Sequence, residues 1–472
     1  MRPSLPIGTT TTSRSVRWQW GSTGPRQAGR LRYFLPLAVV LMIVAVGALL
    51  DARGAAPVER PTPEHMPTPG FGPASFAHAL ADADGRIALG REQMRRLPGE
   101  WGPKEILAQG LMAKARLTGS YPMLAEARGL LDEAMAEAPK GAGPLVAHAT
   151  LAFSTHRLAA VERDIALIEG AAVPPDRLQQ SGIAGLVGDI AFYRGDMVEA
   201  ARQYRRAAGL RDGPAVDYRR AGLAMAQARF ADADAAILDM MSDKRPSAPR
   251  SLAEAAMQMG GHALAQGRWE EADRWFASAD ALFPGYWLIA AHRAQAEALT
   301  GDPARAAARM AAIAEASNSA EVMDAAAMLY RHLGDRANSL RWAARAGALW
   351  EARLRLLPEA AYGHAIEHEL AFGTPDRALD LARKNVALRP YGESRLLLAS
   401  ALLMNNRPQD ALAEIARAQK SGWRSAPLFA IKAEAAALAG QPALSQASRA
   451  EAEAINPRIF DPRTPLVWFA HG

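Results

Sequence analysis

The chain has 472 residues, no cysteine and a formal net charge of +6. Without cysteine it can form neither a disulfide framework nor a cysteine-based metal site. Residues 1–50 contain six arginines and no acidic residue, so the remainder is neutral, with 55 − 6 = 49 basic and 49 acidic side chains. A neutral body without a basic stripe argues against nucleic-acid binding, and the length exceeds that of one ordinary globular core.

The first predicted element is an uncharged apolar run, "FLPLAVVLMIVAVGALL", at residues 34–50. Its length is close to the minimum for a transmembrane helix. The arginines before it predict that residues 1–33 stay in the cytoplasm while the rest is exported. A cleaved signal peptide, cut after Ala52–Gly54, is the alternative, but the long leader favours a retained anchor. The scarcity of lysine beside arginine and alanine suggests a bacterium, which places the anchor in the inner membrane and the body in the periplasm.

Residues 51–75 follow as a proline-rich linker. Each proline fixes φ and lacks an amide donor, so we expect an extended, semi-rigid spacer between membrane and body. Residues 76–457 then have apolar side chains at intervals of three and four, with short breaks that contain Gly, Pro or Asp. This period predicts helices, and no alternating strand pattern is present. The predicted fold class is therefore all-α.

An internal repeat organises these helices. The segments "VGDIAFYRGDMVEAARQYRRAAGL" (187–210) and "MGGHALAQGRWEEADRWFASADALFP" (259–284) both contain a small residue, then Gly, Ala, an aromatic residue and Ala at intervals of seven, five, four and three. The turn residue recurs at steps of 33 to 39 residues, at Gly195, Ala228, Gly267, Gly301, Gly334, Gly373, Asn406 and Gly440. This periodicity predicts stacked helical hairpins.

The residue types explain how each hairpin forms. A glycine such as Gly267 ends the first helix, because the turn requires a left-handed or otherwise open backbone. Small residues such as Gly260 let the two helices approach closely, and Phe276 or Tyr204 fills the space between neighbouring hairpins. Prolines begin several second helices, at Pro303, Pro375, Pro408 and Pro442. Others stop them, at Pro284, Pro390 and Pro457.

This spacing resembles that of the tetratricopeptide repeat (TPR) family. The resemblance covers about residues 178–457 and extends more loosely to residue 104, through "LAEARGLLDEAMAEAP" at 124–139. Most repeats lack the family's aromatic residue partway along the first helix, and Ser339 and Ser445 replace an expected alanine. The resemblance implies a right-handed α-solenoid over residues 76–457, with a concave groove that is lined by the first helices and binds peptides or helices.

Alignment to the family assigns candidate residues to that groove. They are Asp189, Phe192, Tyr193, Asp324, Met328, Arg331, His332, Glu367, Ser400, Met404 and Glu434. Acidic and aromatic side chains in one groove would suit a basic or amphipathic polypeptide segment. The alternative for each residue is a solvated or packing side chain.

Two further segments lead to alternatives. "HAIEH", residues 364–368, matches the H-x-x-E-H zinc pattern, in which His364 and His368 would bind the metal and Glu367 would act as base. It lies in an ordinary repeat, so an exported zinc-dependent hydrolase is the second hypothesis. Residues 458–472 follow Pro457 and are expected to fold back as a tail that caps the last hairpin; a docking peptide is the alternative.

The sequence therefore predicts a membrane-anchored periplasmic scaffold, not an enzyme, that binds protein partners or clients of an envelope assembly. No cofactor or metal is expected for it. The membrane contact would be residues 34–50, and the partners would be proteins or peptides in the groove. A purely structural spacer is a third hypothesis, distinguished by groove substitutions that change no interaction.

Overall fold

The computed structural model describes residues 60–139, 141–171, 173–242 and 247–468. Within these ranges the regular structure is helical, apart from one isolated bridge between Thr62 and His65, which confirms the all-α prediction. The predicted cytoplasmic segment 1–33 and membrane segment 34–50 lie outside the described residues. Among the residues that are described, no helix is long and apolar enough to cross a membrane.

Twenty-one α-helices follow one another in the described ranges. The first seven are α1 (Phe76–Arg96), α2 (Trp101–Thr118), α3 (Tyr121–Glu137), α4 (Leu145–Ser154), α5 (Leu158–Glu169), α6 (Arg177–Tyr193) and α7 (Met197–Leu210). The next seven are α8 (Pro214–Ala226), α9 (Phe230–Met241), α10 (Pro249–Ala265), α11 (Trp269–Leu282), α12 (Trp287–Thr300), α13 (Pro303–Ser317) and α14 (Ala320–His332). The last seven are α15 (Arg336–Leu356), α16 (Pro358–Phe372), α17 (Pro375–Leu388), α18 (Gly392–Met404), α19 (Pro408–Lys420), α20 (Ala426–Leu438) and α21 (Pro442–Ile455). A short 3-10 turn, Thr464–Leu466, follows α21.

Most helices pack chiefly against their neighbours in the sequence, as in a solenoid of helical hairpins. The predicted turns have the expected backbone at Gly195 and Gly267, where φ is +78° and +71°. Gly301 and Gly373 have negative φ instead. In these two turns the next residue, Asp302 or Thr374, accepts backbone amides at the start of the following helix, so the turn needs no left-handed residue.

Packing inside a hairpin is as close as the sequence predicts. A Cβ atom added to Gly260 would lie 2.3 Å from the Phe276 ring, and one added to Gly188 would lie 2.5 Å from the Tyr204 ring. The Phe276 side chain is fully buried. A glycine on the first helix and an aromatic ring on the second are therefore complementary, because any side chain on the glycine would displace the ring.

The chain also contacts itself across many hairpins. The Trp287 Nε1 atom donates to the carbonyl oxygen of Leu117 over 2.8 Å, and the Arg424 amide donates to that of Ala226 over 2.8 Å. A Cβ atom on Gly195 would lie 3.0 Å from the carbonyl oxygen of Pro390. Hydrogen bonds of this kind join residues between 164 and 239 positions apart. We call one full turn of the solenoid a winding. Hairpins that are this far apart in the sequence but in contact belong to neighbouring windings. The handedness of the solenoid stays a prediction.

The described part of the predicted linker, residues 60–75, lies against the hairpins. The Ser278 hydroxyl on α11 donates to the carbonyl oxygen of Pro63 over 2.5 Å. The Gly70 amide donates to the carbonyl oxygen of Ser247 over 2.9 Å. Proline lacks an amide donor but keeps its carbonyl acceptor. The carbonyl oxygen of Pro63 therefore can accept the hydrogen bond from Ser278. Residues 60–75 therefore contact the hairpins at Pro63 and Gly70, and the role of residues 51–75 as a linker stays a prediction.

The C-terminal tail also folds back. Its 3-10 turn packs against α12 and α14, which are the first helices of two consecutive hairpins. The Arg463 Nη1 atom donates to the carbonyl oxygen of Leu299 over 2.7 Å, and the Trp468 amide donates to Gln295 Oε1 over 2.6 Å. Near the last helix, the Arg449 guanidinium lies 3.6 Å from the centroid of the Phe460 ring. The tail therefore contacts both its own last helix and the preceding winding.

Candidate functional site

Two of the predicted groove residues, Asp189 and Asp324, are buried carboxylates that connect neighbouring hairpins. Asp189 accepts hydrogen bonds from Arg219 Nε over 2.9 Å and from the Tyr204 hydroxyl over 3.0 Å. Burial raises the pKa of its carboxyl group, and the charge of Arg219 opposes that shift. The alignment placed Asp189 correctly on a first helix, but its partners come from the two helices that follow.

Asp324 occupies the equivalent place further along the chain and has no exposed surface. It accepts a hydrogen bond from Trp350 Nε1 over 2.7 Å, and its other oxygen lies 2.7 Å from His368 Nδ1. Burial raises the pKa of this carboxyl as well, and the hydrogen bond with His368 opposes the rise. A partner could reach Asp324 only after the hairpins had separated. The predicted groove role of Asp324 stays a prediction.

The aromatic groove residues Phe192 and Tyr193 lie where two windings meet. The Tyr193 ring centroid is 5.1 Å from that of Tyr391, and Phe192 is 6.1 Å from Trp423. Tyr391 and Trp423 belong to the connections that follow α17 and α19. These partners are missing from the repeat pattern, because they lie in connecting segments and not on helical repeat positions.

The remaining predicted residues are more dispersed. Arg331 is exposed, stacks 4.2 Å from the Phe372 ring centroid and donates to the carbonyl oxygen of Ala371 over 2.7 Å. The Ser400 hydroxyl donates within its own helix to Leu396. Met328 is half-buried, whereas His332, Met404 and Glu434 are exposed. Their binding role stays a prediction, as it does for the whole set.

A larger polar cluster surrounds Glu367 and Tyr193. We call it the inner polar cluster; its members are Tyr121, His156, Tyr193, Glu321, Arg353, His364, Glu367, Arg389, Tyr391 and Glu393, and their charges influence one another. They come from hairpins that are far apart in the sequence. Contact between windings therefore creates this site, which no single repeat contains.

One half of the cluster is an ion pair on an aromatic support. Arg353 Nη1 lies 2.7 Å from Glu321 Oε1, and its guanidinium is 4.6 Å from both the Tyr121 and the Trp350 ring centroids. The Ser319 hydroxyl donates to the other oxygen of Glu321 over 2.6 Å. Burial opposes ionisation of Glu321, but the charges of Arg353 and His364 and this hydrogen bond lower its pKa to about 2.

The neighbouring part of the cluster is more acidic. His364 Nδ1 lies 2.9 Å from Glu367 Oε2. Burial lowers the pKa of His364, but the hydrogen bond and charge of Glu367, with the charge of Glu321, raise it overall. Burial raises the pKa of Glu393 to about 7, and the charge of Glu367 adds to the rise. These carboxylates would be stabilised by an additional positive charge.

The geometry gives no support to the zinc-hydrolase alternative. His364 faces Glu367, but His368 Nδ1 faces the buried Asp324. The other nitrogen of His368, Nε2, lies 2.9 Å from where a Cβ atom on Gly347 would be, so helix packing encloses that ring edge. Across residues 60–468, apart from the short gaps in the description, no group of three His, Asp or Glu side chains could hold a metal ion.

The comparisons with known proteins add a weak likeness of fold. No protein-family model matches the sequence, and no curated protein matches it either. A tetratricopeptide repeat protein from Parabacteroides merdae is 15% identical over 53% of this chain and 96% of its own, with a TM-score of 0.33. The APC/C hetero-tetramer Cut9–Hcn1 is 12% identical over 84% of each chain, with a TM-score of 0.36. At these values the TPR-like assignment rests on the hairpins of this chain itself.

Proposed function

We propose that this chain is a non-enzymatic scaffold that binds polypeptide partners, with the inner polar cluster as part of its binding surface. The observation that carries the proposal is the convergence of ionisable and aromatic side chains from distant hairpins on a partly exposed region. The His364 side chain keeps 37% of its surface exposed, and Glu367 keeps 23%. Side chains that only fill a hairpin core, such as Phe276, keep none.

The chemistry of the cluster favours a basic or amphipathic segment as the partner. Glu367 and Glu393 lie close enough for the charge of one to raise the pKa of the other. A lysine or arginine side chain between them would favour the ionised form of Glu393 and replace repulsion by attraction. The tyrosine rings nearby offer apolar surface and hydroxyl groups to the rest of the segment.

We further propose that residues 34–50 anchor the scaffold in a bacterial inner membrane, with the body in the periplasm, where it would hold proteins of an envelope assembly. The support for this part is the apolar run and the arginines that precede it. A reporter enzyme fused after Gly472 tests the orientation. A reporter that is active only in the periplasm is the expected result, and one that is active only in the cytoplasm would reverse the topology.

A crosslinking pull-down from intact cells tests the scaffold proposal. The baits are the full-length chain, Glu367→Lys in the cluster, and the matched control Glu359→Lys at the start of the same helix, α16. We expect partners captured by the wild-type chain and by the control to be lost with Glu367→Lys. Capture of the same proteins by all three baits would show that the cluster is not the binding surface, and capture of none would favour a structural spacer.

A further inference from the structure

Two arginines are buried among the described residues, but only one of them, Arg353, forms an ion pair with a carboxylate. Arg353 is 8% exposed and Arg389 is 4% exposed. Arg353 combines two aromatic neighbours with a carboxylate, Glu321. The arrangement at Arg353 is therefore complete: its permanent charge has both an aromatic support and a counter-ion.

Arg389 has the aromatic neighbours but forms no ion pair with any residue of the described ranges. Its guanidinium lies 5.8 Å from the Tyr193 ring centroid and 6.0 Å from that of Tyr391. Its hydrogen bond is to a neutral group, because Nη2 donates to Asn385 Oδ1 over 2.7 Å. Asn385 is in turn fixed by a hydrogen bond to the Ser394 hydroxyl over 3.0 Å, so the guanidinium is held in place.

The remaining donors of Arg389 are not completely enclosed. Each nitrogen of Arg389 either forms a hydrogen bond or keeps some contact with solvent. The Nε atoms of Arg268 and Arg293, in contrast, do neither. The two tyrosines beside the guanidinium, Tyr193 and Tyr391, come from two windings. Burial raises the pKa of Tyr193 to about 12, so its hydroxyl keeps its proton and can donate a hydrogen bond to an anion.

A buried charge without a counter-ion is unfavourable, and neighbouring rings offset only part of the cost. A guanidinium presents donors in a planar fork that matches a carboxylate. We propose that Arg389, between Tyr193 and Tyr391, binds a carboxylate group of a polypeptide partner, which completes the arrangement that Glu321 completes at Arg353. This inference rests on the proposed scaffold function and specifies an anionic contact beside the acidic part of the cluster.

The carboxylate could come from an acidic side chain or from the end of a chain, and two isomeric probes distinguish these sources. N-acetyl-glutamate α-amide has only a side-chain carboxylate, whereas N-acetyl-glutamine has only a terminal one. We expect calorimetric titration of the full-length protein to show saturable binding of at least one probe. Arg389→Met should weaken that binding at least tenfold, because the fork of donors is lost.

Arg341→Met is the matched control, since Arg341 also stacks on an aromatic ring, 5.1 Å from the Trp342 centroid, but is exposed; it should leave probe binding unchanged. Arg389→Lys keeps the charge without the planar fork and should bind the preferred probe more weakly than wild type does. This variant also decides the question if Arg389→Met fails to fold. Absence of saturable binding to wild type, or equal binding by wild type and both Arg389 variants, would overturn the proposal.

Unfolding without any probe gives a second, independent result. Arg389→Met should lower the denaturation midpoint less than Arg353→Met does, because it removes one hydrogen bond to Asn385 but also a buried charge that lacks a counter-ion. Arg353→Met should lower the midpoint, because it leaves Glu321 without its cation. An equal loss of stability in both variants would show that Arg389 already has a partner in the free chain, and would overturn the proposal. Failure of the probes with partner capture intact would refute this contact and leave the scaffold function standing.

Discussion

The core of a hairpin and the contact between windings are both aromatic, but their positions are encoded differently. Phe276 lies at a fixed repeat position opposite Gly260 in the same hairpin. Tyr391 lies in the connection between α17 and α18 and meets Tyr193, which belongs to a hairpin of the preceding winding. The first contact depends on a local period, and the second depends on the accumulated geometry of every hairpin between them. The candidate site belongs to the second kind.

The largest effect is expected in the hairpin core. Phe276→Ala should lower the free energy of unfolding by about 3–5 kcal/mol, because it removes a fully buried ring and leaves a cavity. Phe71→Ala is the matched control, since Phe71 is 62% exposed, and should change stability by less than about 0.5 kcal/mol. Chemical denaturation of both variants provides the measurement. Equal, small effects would refute the packing assigned to the repeat.

Alanine substitutions at two glycines with the same φ distinguish the cost of local backbone strain from the cost of a collision between windings. Gly267 and Gly440 both have φ of +71°. A Cβ atom on Gly267 would lie 2.3 Å from Asn456 Oδ1, whereas one on Gly440 would meet nothing within 4 Å. Gly440→Ala should cost about 1–2 kcal/mol for the left-handed backbone alone, and Gly267→Ala about 2–4 kcal/mol once the collision is added.

Denaturation midpoints of the two glycine variants test this difference. Gly195 and Gly334 provide a second pair with φ of +78°, in which Gly195 faces Pro390 and Gly334 faces open space. The member of each pair that faces another winding should lose more stability. Equal losses within both pairs would mean that the windings do not restrain these turns.

The pH dependence of stability should be sensitive to Glu393. Its folded pKa, about 7, is raised above the ordinary value of 4.5, so the folded state binds this proton more tightly. The stability that results is fully present below pH 4.5 and is lost as the pH rises through about 7. Glu393→Gln stays neutral and should therefore be more stable than wild type at pH 8, by about 1–3 kcal/mol, but not at pH 4.

Urea denaturation at the two pH values measures the effect of Glu393→Gln. The control is Glu434→Gln, at an exposed position on α20, for which the difference between pH 4 and pH 8 should match that of wild type. A Glu393→Gln variant with an unchanged pH profile would contradict burial of this carboxyl between windings.

The sequence could predict the hairpins from about residue 178 onward because their determinants are local. Glycine at the turn, proline at the start of α13, α17, α19 and α21, and a small residue opposite an aromatic ring act within one repeat. The same local period placed Asp189 and Asp324 on first helices. Their burial could not be predicted, because it depends on partners such as Arg219 and His368 on other helices.

The inner polar cluster was only partly predictable for the same reason. Glu367 and Tyr193 are at aligned repeat positions, but Arg389 and Tyr391 lie where α17 ends and α18 has yet to begin. No periodic rule specifies a residue in such a connection. The usable signal was an arginine and an aromatic residue on either side of Pro390, a composition unusual for a solvated break between helices.

The smallest effect concerns the aromatic contact between windings. Tyr193→Ala and Tyr391→Ala should each destabilise the protein, and the double variant should lose less than the sum. We expect a coupling of about 0.5–1.5 kcal/mol, because the two rings lose one shared edge contact. A double-mutant cycle by urea denaturation gives this value, and additive losses would mean that the rings do not interact in solution.

Crosslinking across the candidate site tests most directly whether two windings form it. The chain contains no cysteine, so Tyr193→Cys with Tyr391→Cys introduces a unique pair. A short bis-maleimide should join the two cysteines rapidly in the folded protein and produce a loop that shifts its mobility in denaturing electrophoresis. The same double variant in guanidinium chloride should react without forming that loop efficiently. Efficient looping only in the folded protein is the predicted result, and equally poor looping in both states would contradict the proposed contact and the site built on it.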